Sequence, residues 1–154
     1  MAKKSAGLLM YRLIDGNLEV FLVHMGGPFW AKKDIGAWSI PKGEYQPDED
    51  PFEAAKREFL EETGFAAIGE FIRLKDVKQP GGKVVSAWAF EGDCGAKQIT
   101  SNTFSMEWPP RSGRFQEFPE VDRAEWFALD IANGKLLKGQ RPLIQELQSI
   151  LQDK

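Results

Sequence analysis

A helix delimited at both ends sits in the middle of a chain that otherwise reads as strands, and this arrangement most constrains the fold. Asp50-Pro51-Phe52-Glu53 is a start signal. The Asp side chain can accept from orphan N–H groups of the first turn, Pro suits the first helical position, and a Glu three residues on completes a capping box. Gly64 is the stop, because glycine adopts the left-handed conformation that ends a helix at no steric cost. Advancing about 100° per residue puts Phe52, Ala55, Phe59 and Thr63 on one stripe, the face expected to meet a core.

Residues 5–14 and 18–25 are rich in β-formers and are split by Asp15-Gly16-Asn17, a hairpin signal. Residues 26–36 (GGPFWAKKDIG) read as a loop, and residues 37–40 as a short strand closed by Pro41. Pro41-Lys42-Gly43-Glu44 then reads as a flexible loop ahead of the helix. Beyond the helix, residues 71–77 and 83–91 are strand candidates around the turn Gln79-Pro80-Gly81-Gly82. Residues 92–119 read as long loops with one short strand near 104–108, and residues 123–129 as a last strand. A final helix is expected over about 140–152, with Pro142 in its first turn and Leu143, Leu147, Ile150 and Leu151 as its apolar stripe. Connections of this kind are hairpin-like rather than crossovers, which favours an α+β chain or α/β/α sandwich over a regular doubly wound sheet. With no repeat or linker, residues 1–154 are expected to form a single domain.

The helix sets a problem of charge. Glu58, Glu61 and Glu62 lie three and four residues apart, where like charges repel by a few tenths of a kcal/mol per pair. Glu61 has Arg57 four residues before it, whereas Glu58 and Glu62 face each other with no cation at the i±4 positions. Two readings of the helix alone stay open. One is a solvated acidic face, on which salt screens the repulsion. The other is a divalent cation held between the helix and the preceding loop, where Gly43 would let a backbone carbonyl turn toward it and Glu49 lies close to the first turn.

Composition narrows the chemistry. A net charge of −3 and a pI near 5.3 argue against a protein whose main partner is a nucleic-acid polymer, while leaving room for a small phosphorylated substrate. The only histidine, His24, lies in an apolar strand-like run and is read as structural, which removes histidine-based catalysis. Cys94 has no partner for an internal disulfide, the apolar run at residues 6–11 is too short for a signal peptide, and no stretch is long enough to span a membrane. A cytoplasmic protein is expected.

Together these residues resemble the Nudix box, which is Gly, five residues, Glu, seven residues, then Arg-Glu-apolar-x-Glu-Glu-x-Gly-apolar. The sequence reads Gly43, Glu49, Arg57-Glu58-Phe59, Glu61-Glu62, Gly64-Phe65, matching all seven fixed positions, with phenylalanine at both apolar positions where the family usually has aliphatics. The flanks, including SAGLLMYR and Trp38-x-x-Pro41-Lys42-Gly43, are similar to the members that cleave dinucleoside polyphosphates. The resemblance implies an α/β/α sandwich around a central mixed sheet, with the catalytic helix after the Gly43 loop. It also implies a pyrophosphohydrolase that uses Mg²⁺ or Mn²⁺ on a nucleoside diphosphate linked to another moiety. A dinucleoside polyphosphate or nucleoside triphosphate is the leading substrate, and an RNA 5′ end is the only nucleic-acid partner it leaves open. The alternative is a catalytically silent nucleotide-binding or regulatory module.

Carried over by position, Glu58 and Glu62 are the main metal ligands, with Glu61 and the Gly43 carbonyl as further ligands, while Arg57 and Glu49 hold the box by ion pairing. Several members carry the general base six residues before a tryptophan; Glu120 stands six before Trp126, ahead of Glu61 and then Glu117 as candidates. Lys42, Lys32, Lys83 and Arg111 are candidates for substrate phosphates, with Lys33 and Arg114 behind them, and Trp30 for stacking a base, with Phe29, Trp108 and Phe118 as further rings.

Overall fold

The computed structural model describes residues 3–152. Strands β1 (Lys4–Ile14) and β2 (Asn17–Met25) pair antiparallel through a two-residue turn. Asp15 and Gly16 both take positive φ there, 52° and 80°, the hairpin geometry whose twist matches that of its strands. β1 lies at the sheet centre, so residues 5–11 are buried on both faces, and the run is continuously apolar rather than alternating.

Strand β3 (Trp38–Ser39) pairs with β2, and β4 (Lys42–Glu44) pairs with the first half of β1. After helix α1 (Pro51–Thr63) come β5 (Phe71–Arg73), β6 (Val77–Lys78) and β7 (Val84–Glu91). β7 runs parallel to β1, and β5 and β6 run antiparallel to β7. A hairpin of β8 (Thr103–Glu107) and β9 (Phe115–Pro119) forms a separate two-stranded sheet. Strand β10 (Val121–Ala128) closes the main sheet beside β2, giving the order β10-β2-β1-β7-β5, and helices α2 (Leu129–Lys135) and α3 (Arg141–Gln152) end the described chain.

Alternate residues of β1 serve two cores. Ala6, Leu8 and Met10 meet Phe21, Phe90 and the Ala54, Ala55 and Phe59 face of α1. Leu9 and Tyr11 meet Leu22, Trp38, Ala132 of α2 and Leu143, Ile144 and Leu147 of α3. The result is the expected sandwich around a mixed sheet. None of the helices among the described residues is long and apolar enough to cross a membrane.

Several expectations fail, each where tertiary pairing overrides local signal. Residues 42–44 are a strand rather than a loop, because β1 supplies the ladder. Residues 71–77 form two short strands, since the chain bends at 74–76 and buries Leu74. Within the stretch 92–119 the expected short strand is present as β8, but residues 103–119 form a hairpin with a second strand, β9, whose polar sequence FQEFP carries little β signal. Helix α2 contains Asn133-Gly134, which locally reads as a turn. The N-terminus of α1 is half a capping box: Asp50 accepts from the Glu53 N–H at 3.0 Å, while the Glu53 carboxylate pairs with Lys56 at 3.2 Å.

Candidate active site

Gly43 and α1 meet at the edge of β4. A side chain at position 43 would place its Cβ 2.1 Å from Glu58 Cδ and 2.2–2.4 Å from the carboxylate oxygens. Glycine here lets a carboxylate pack onto the backbone rather than letting the chain turn, and any side chain would displace the Glu58 carboxylate. Ladder bonds at Tyr45 N–Lys4 O (3.2 Å) and Leu8 N–Pro41 O (3.1 Å) set Ala6↔Gly43 as the hydrogen-bonded pair between them. The Gly43 carbonyl is therefore held toward β1 with one lone pair to spare, and is not a free loop carbonyl.

Arg57 gathers the acidic side chains around it. Its Nε and Nη2 take both Glu49 oxygens at 2.9 and 3.2 Å, and its Nη1 reaches Glu58 at 2.9 Å and both Glu61 oxygens at 3.2 Å. Three carboxylates around one guanidinium hold it charged at any accessible pH and pull Glu49 below the ordinary carboxylate range. The expectation that Glu58 lacks a cation on the helix is corrected, since the adjacent Arg57 side chain bends to it. Burial still raises the Glu58 pKa, and the Glu61 charge raises it further.

Glu62 carries the strongest perturbation. It is 9% exposed, and its one hydrogen bond among the described residues is from the Lys42 backbone N–H at 3.3 Å. Burial first, and then the Glu58 charge, push its pKa to about 8. The solvated-face reading of the helix fails here. Its cause was legible: Glu62 follows Ala55 by seven residues, about 20° short of two full turns, so it borders the apolar stripe.

Glu58, Glu61 and Glu62 open onto a cleft of about 350 Å³ lined also by Ser5, Lys42, Gly43, Glu44, Lys83, Asn102 and Glu120. Glu120 enters from the root of the β8–β9 hairpin. Its N–H donates to Asn102 O at 2.9 Å, its carbonyl accepts from Gly26 N–H at 2.9 Å, and Asn102 N–H donates to Glu61 O at 2.9 Å. Glu120 stands at the solvent-accessible rim, yet the protein around it displaces enough water to raise its pKa. Lys42 faces the same cleft, its pKa lowered by burial and then by Lys83.

Of the residues singled out from the sequence, the structure brings together Gly43, Glu58, Glu61, Glu62, Glu120, Lys42 and Lys83, with Arg57 and Glu49 bracing the helix. Lys32, Trp30 and Arg111 do not line the cleft. Lys32 is exposed, Trp30 packs at the edge of the second core, and Arg111 sits in the β8–β9 turn. Glu117 lies on exposed β9, away from the lining. Ser5, Glu44 and Asn102 line the cleft without having been singled out, and no local sequence signal marks them. His24 is structural: fully buried, it bonds Asp122 at 2.8 Å and the Lys33 carbonyl at 2.6 Å. A larger groove of about 530 Å³ between the β1–β2 hairpin and α3 is mainly apolar and holds Glu91 as its only carboxylate, whereas the smaller cleft gathers the acidic and basic side chains.

The donor set suits a hard divalent cation. Five carboxylates, Glu44, Glu58, Glu61, Glu62 and Glu120, meet two lysines, and burial together with the Glu58 charge pushes the Glu62 pKa up to about 8. Among the described residues no three acidic, His or Cys side chains already converge tightly enough to hold an ion. Arg57 holds Glu58 through Oε1 alone, which leaves Glu58 Oε2 available to an ion.

Comparison with known proteins agrees with this architecture. An RNA pyrophosphohydrolase of Bradyrhizobium is 34% identical over 64 residues, covering 42% of this chain and 38% of that protein. A bis(5′-nucleosyl)-tetraphosphatase of Caenorhabditis elegans is 39% identical over 63 residues, covering 41% of each. The chain thus matches about two-fifths of the length of these curated relatives. Among solved structures, an Ap4A hydrolase of C. elegans superposes with a TM-score of 0.67 at 21% identity, covering 99% of this chain and 100% of that one. The NUDIX domain of Shewanella oneidensis NrtR, solved with ADP ribose, gives 0.66 at 18%, covering 98% and 89%. The pattern of the NUDIX domain family matches residues 3–147, nearly the whole chain, and the protein belongs to that family.

Proposed function

We propose that the protein is a pyrophosphohydrolase that uses Mg²⁺ or Mn²⁺ and cleaves a nucleoside diphosphate linked to another moiety, with a dinucleoside polyphosphate or a nucleoside triphosphate as the leading substrate. The observation that carries this reading is the convergence of Glu58, Glu61, Glu62 and Glu120 with Lys42 and Lys83 on one cleft. The curated relatives named for RNA 5′-end and dinucleoside tetraphosphate chemistry support the same class of bond.

Glu58 and Glu62 hold the cation, with Glu61 and the spare lone pair of Gly43 O completing the set. When bound, the cation neutralises phosphate oxygens and lowers the pKa of coordinated water. Lys42 and Lys83 bind the phosphates from the other side of the cleft. Glu120 takes the proton of the attacking water as general base, and its raised pKa brings it closer to neutrality than an exposed carboxylate. Arg57 and Glu49 act through the box, fixing Glu58 and Glu61 in place.

The test is chromatographic analysis of the products formed from a panel of dinucleoside polyphosphates, nucleoside triphosphates, ADP-ribose and triphosphorylated RNA, with Mg²⁺, with Mn²⁺ and with chelator. Metal-dependent turnover of at least one compound is expected. Tight binding of a nucleotide without turnover of any compound would replace the enzyme by a nucleotide-sensing module.

A further inference from the structure

The hydroxyl of Ser5 is not used by the hydrogen bonds of the fold. Ser5 is 1% exposed, and its Oγ has no hydrogen-bond partner among the described residues. Leaving a buried hydroxyl unpaired forfeits its hydration with nothing gained in return. Alanine, as at neighbouring Ala6 and at Ala87 on the adjoining strand, would fill a strand position of this kind with no polar atom to satisfy. Yet Ser5 lines the carboxylate cleft.

Strand register shows which wall it belongs to. Ser5 stands opposite Glu44, Ala6 opposite Gly43, and Gly7 opposite Lys42. Directly opposed residues project to the same face of a sheet, and alternate residues share a face. Ser5, Glu44 and Lys42 therefore share one face, while Gly43 and Ala6 face α1. Lys83 joins the Ser5 face through its 3.6 Å ion pair with Glu44, which also draws Lys3 to 3.8 Å. The cleft thus wraps the free edge of β4, where the Lys42 N–H meets Glu62: the α1 carboxylates reach it from one face of the sheet and Ser5, Lys42, Glu44 and Lys83 from the other, and Glu44 supplies the only anion of this second, cationic side.

We propose that the Ser5 hydroxyl donates to a phosphate oxygen of the substrate, completing with Lys42 and Lys83 a cradle for the phosphate that is held rather than attacked. Glu44 occupies the Lys83 ammonium in the resting chain and yields it to that phosphate. The substrate class rests on the hydrolase reading above; the cradle itself requires only a polyphosphate.

The experiment compares the full-length wild type with Ser5→Ala and Ser5→Cys. It reads melting temperature in chelator, affinity for inorganic tripolyphosphate with Mg²⁺ by calorimetry, and KM and kcat on whichever nucleotide the wild type cleaves fastest. Ser5→Ala should melt at or above the wild-type temperature, weaken tripolyphosphate about tenfold or more, and raise KM by more than it lowers kcat. Ser5→Cys, with a weak donor of similar size, should fall between. An unchanged tripolyphosphate affinity in both variants overturns the cradle, as does a lowered melting temperature with affinity intact, which would mark a structural hydroxyl. A wild type that binds no tripolyphosphate overturns it too. Serine-sensitive binding without turnover of any nucleotide would keep the cradle and sink the hydrolase, and turnover with serine-insensitive binding would do the reverse.

Discussion

Replacing Glu62 by Gln should stabilise the protein and disable it. Glu62 is nearly closed to solvent and is held to a pKa of about 8 by burial and by Glu58. The unfolded chain releases this proton near the ordinary glutamate value of 4.5, while the folded chain keeps it until about pH 8. Across that window the native state binds more protons, so stability falls as pH rises. At about 1.4 kcal/mol per unit the loss is bounded at roughly 5 kcal/mol above pH 8, shared with the coupled Glu58. Gln keeps the shape without the charge. In chelator, Glu62→Gln should therefore melt close to wild type at pH 5 and several degrees above it at pH 9, at about 2–4 °C per kcal/mol for a chain of this size. Thermal melts at the two pH values read this directly, and turnover should fall by about two orders of magnitude or more with the loss of a metal ligand. A variant that melts below wild type at pH 9, or keeps turnover within about threefold, would refute the reasoning.

Four further substitutions separate the roles of these residues. Glu120→Gln should lower kcat by about 100-fold or more while leaving Mn²⁺-induced stabilisation intact, whereas Glu117→Gln on exposed β9 should change neither; equal effects in a kinetic comparison would remove Glu120 as the base. Gly43→Ala drives a methyl group into the Glu58 carboxylate at 2.1 Å, so it should abolish both turnover and the Mn²⁺ effect on melting, and a variant that retains either contradicts the packing. His24→Ala removes a buried ring with two hydrogen bonds and should cost about 2–4 kcal/mol in denaturant unfolding without moving the pH profile of turnover. A displaced profile would give His24 a part in the chemistry.

What could be read in the sequence follows the range of the forces involved. Helix α1 was legible from end to end because its cap, its first-turn proline and its terminal glycine act within four residues of where they sit; Gly64 takes φ 83° and donates to Leu60 O as a stop should. The box residues were legible because their spacing is local to that helix. Strand β4 was not, since its three residues are ordered by β1, some 37 positions away in the chain. The β8–β9 hairpin and α2 failed for a related reason, their polar or turn-prone sequences being overruled by pairing and packing. Within the site, Glu62 could have been placed at the margin of the core by its spacing from Ala55. The contact of Arg57 with Glu58 could not, because neighbours in sequence point apart on a helix unless a long side chain folds back. Ser5 and Asn102 reach the cleft only through strand register and the root of the hairpin.

Whether the α1 carboxylates bind a divalent cation is read by titrating Mn²⁺ into the wild type and following the loss of its free-ion paramagnetic resonance signal. Binding should be saturable, should strengthen as pH rises toward 8, because the proton on Glu62 must leave, and should be lost in both Glu58→Gln and Glu62→Gln. Binding that is unchanged in these variants, or absent from the wild type even with tripolyphosphate present, would contradict a cation site on these carboxylates.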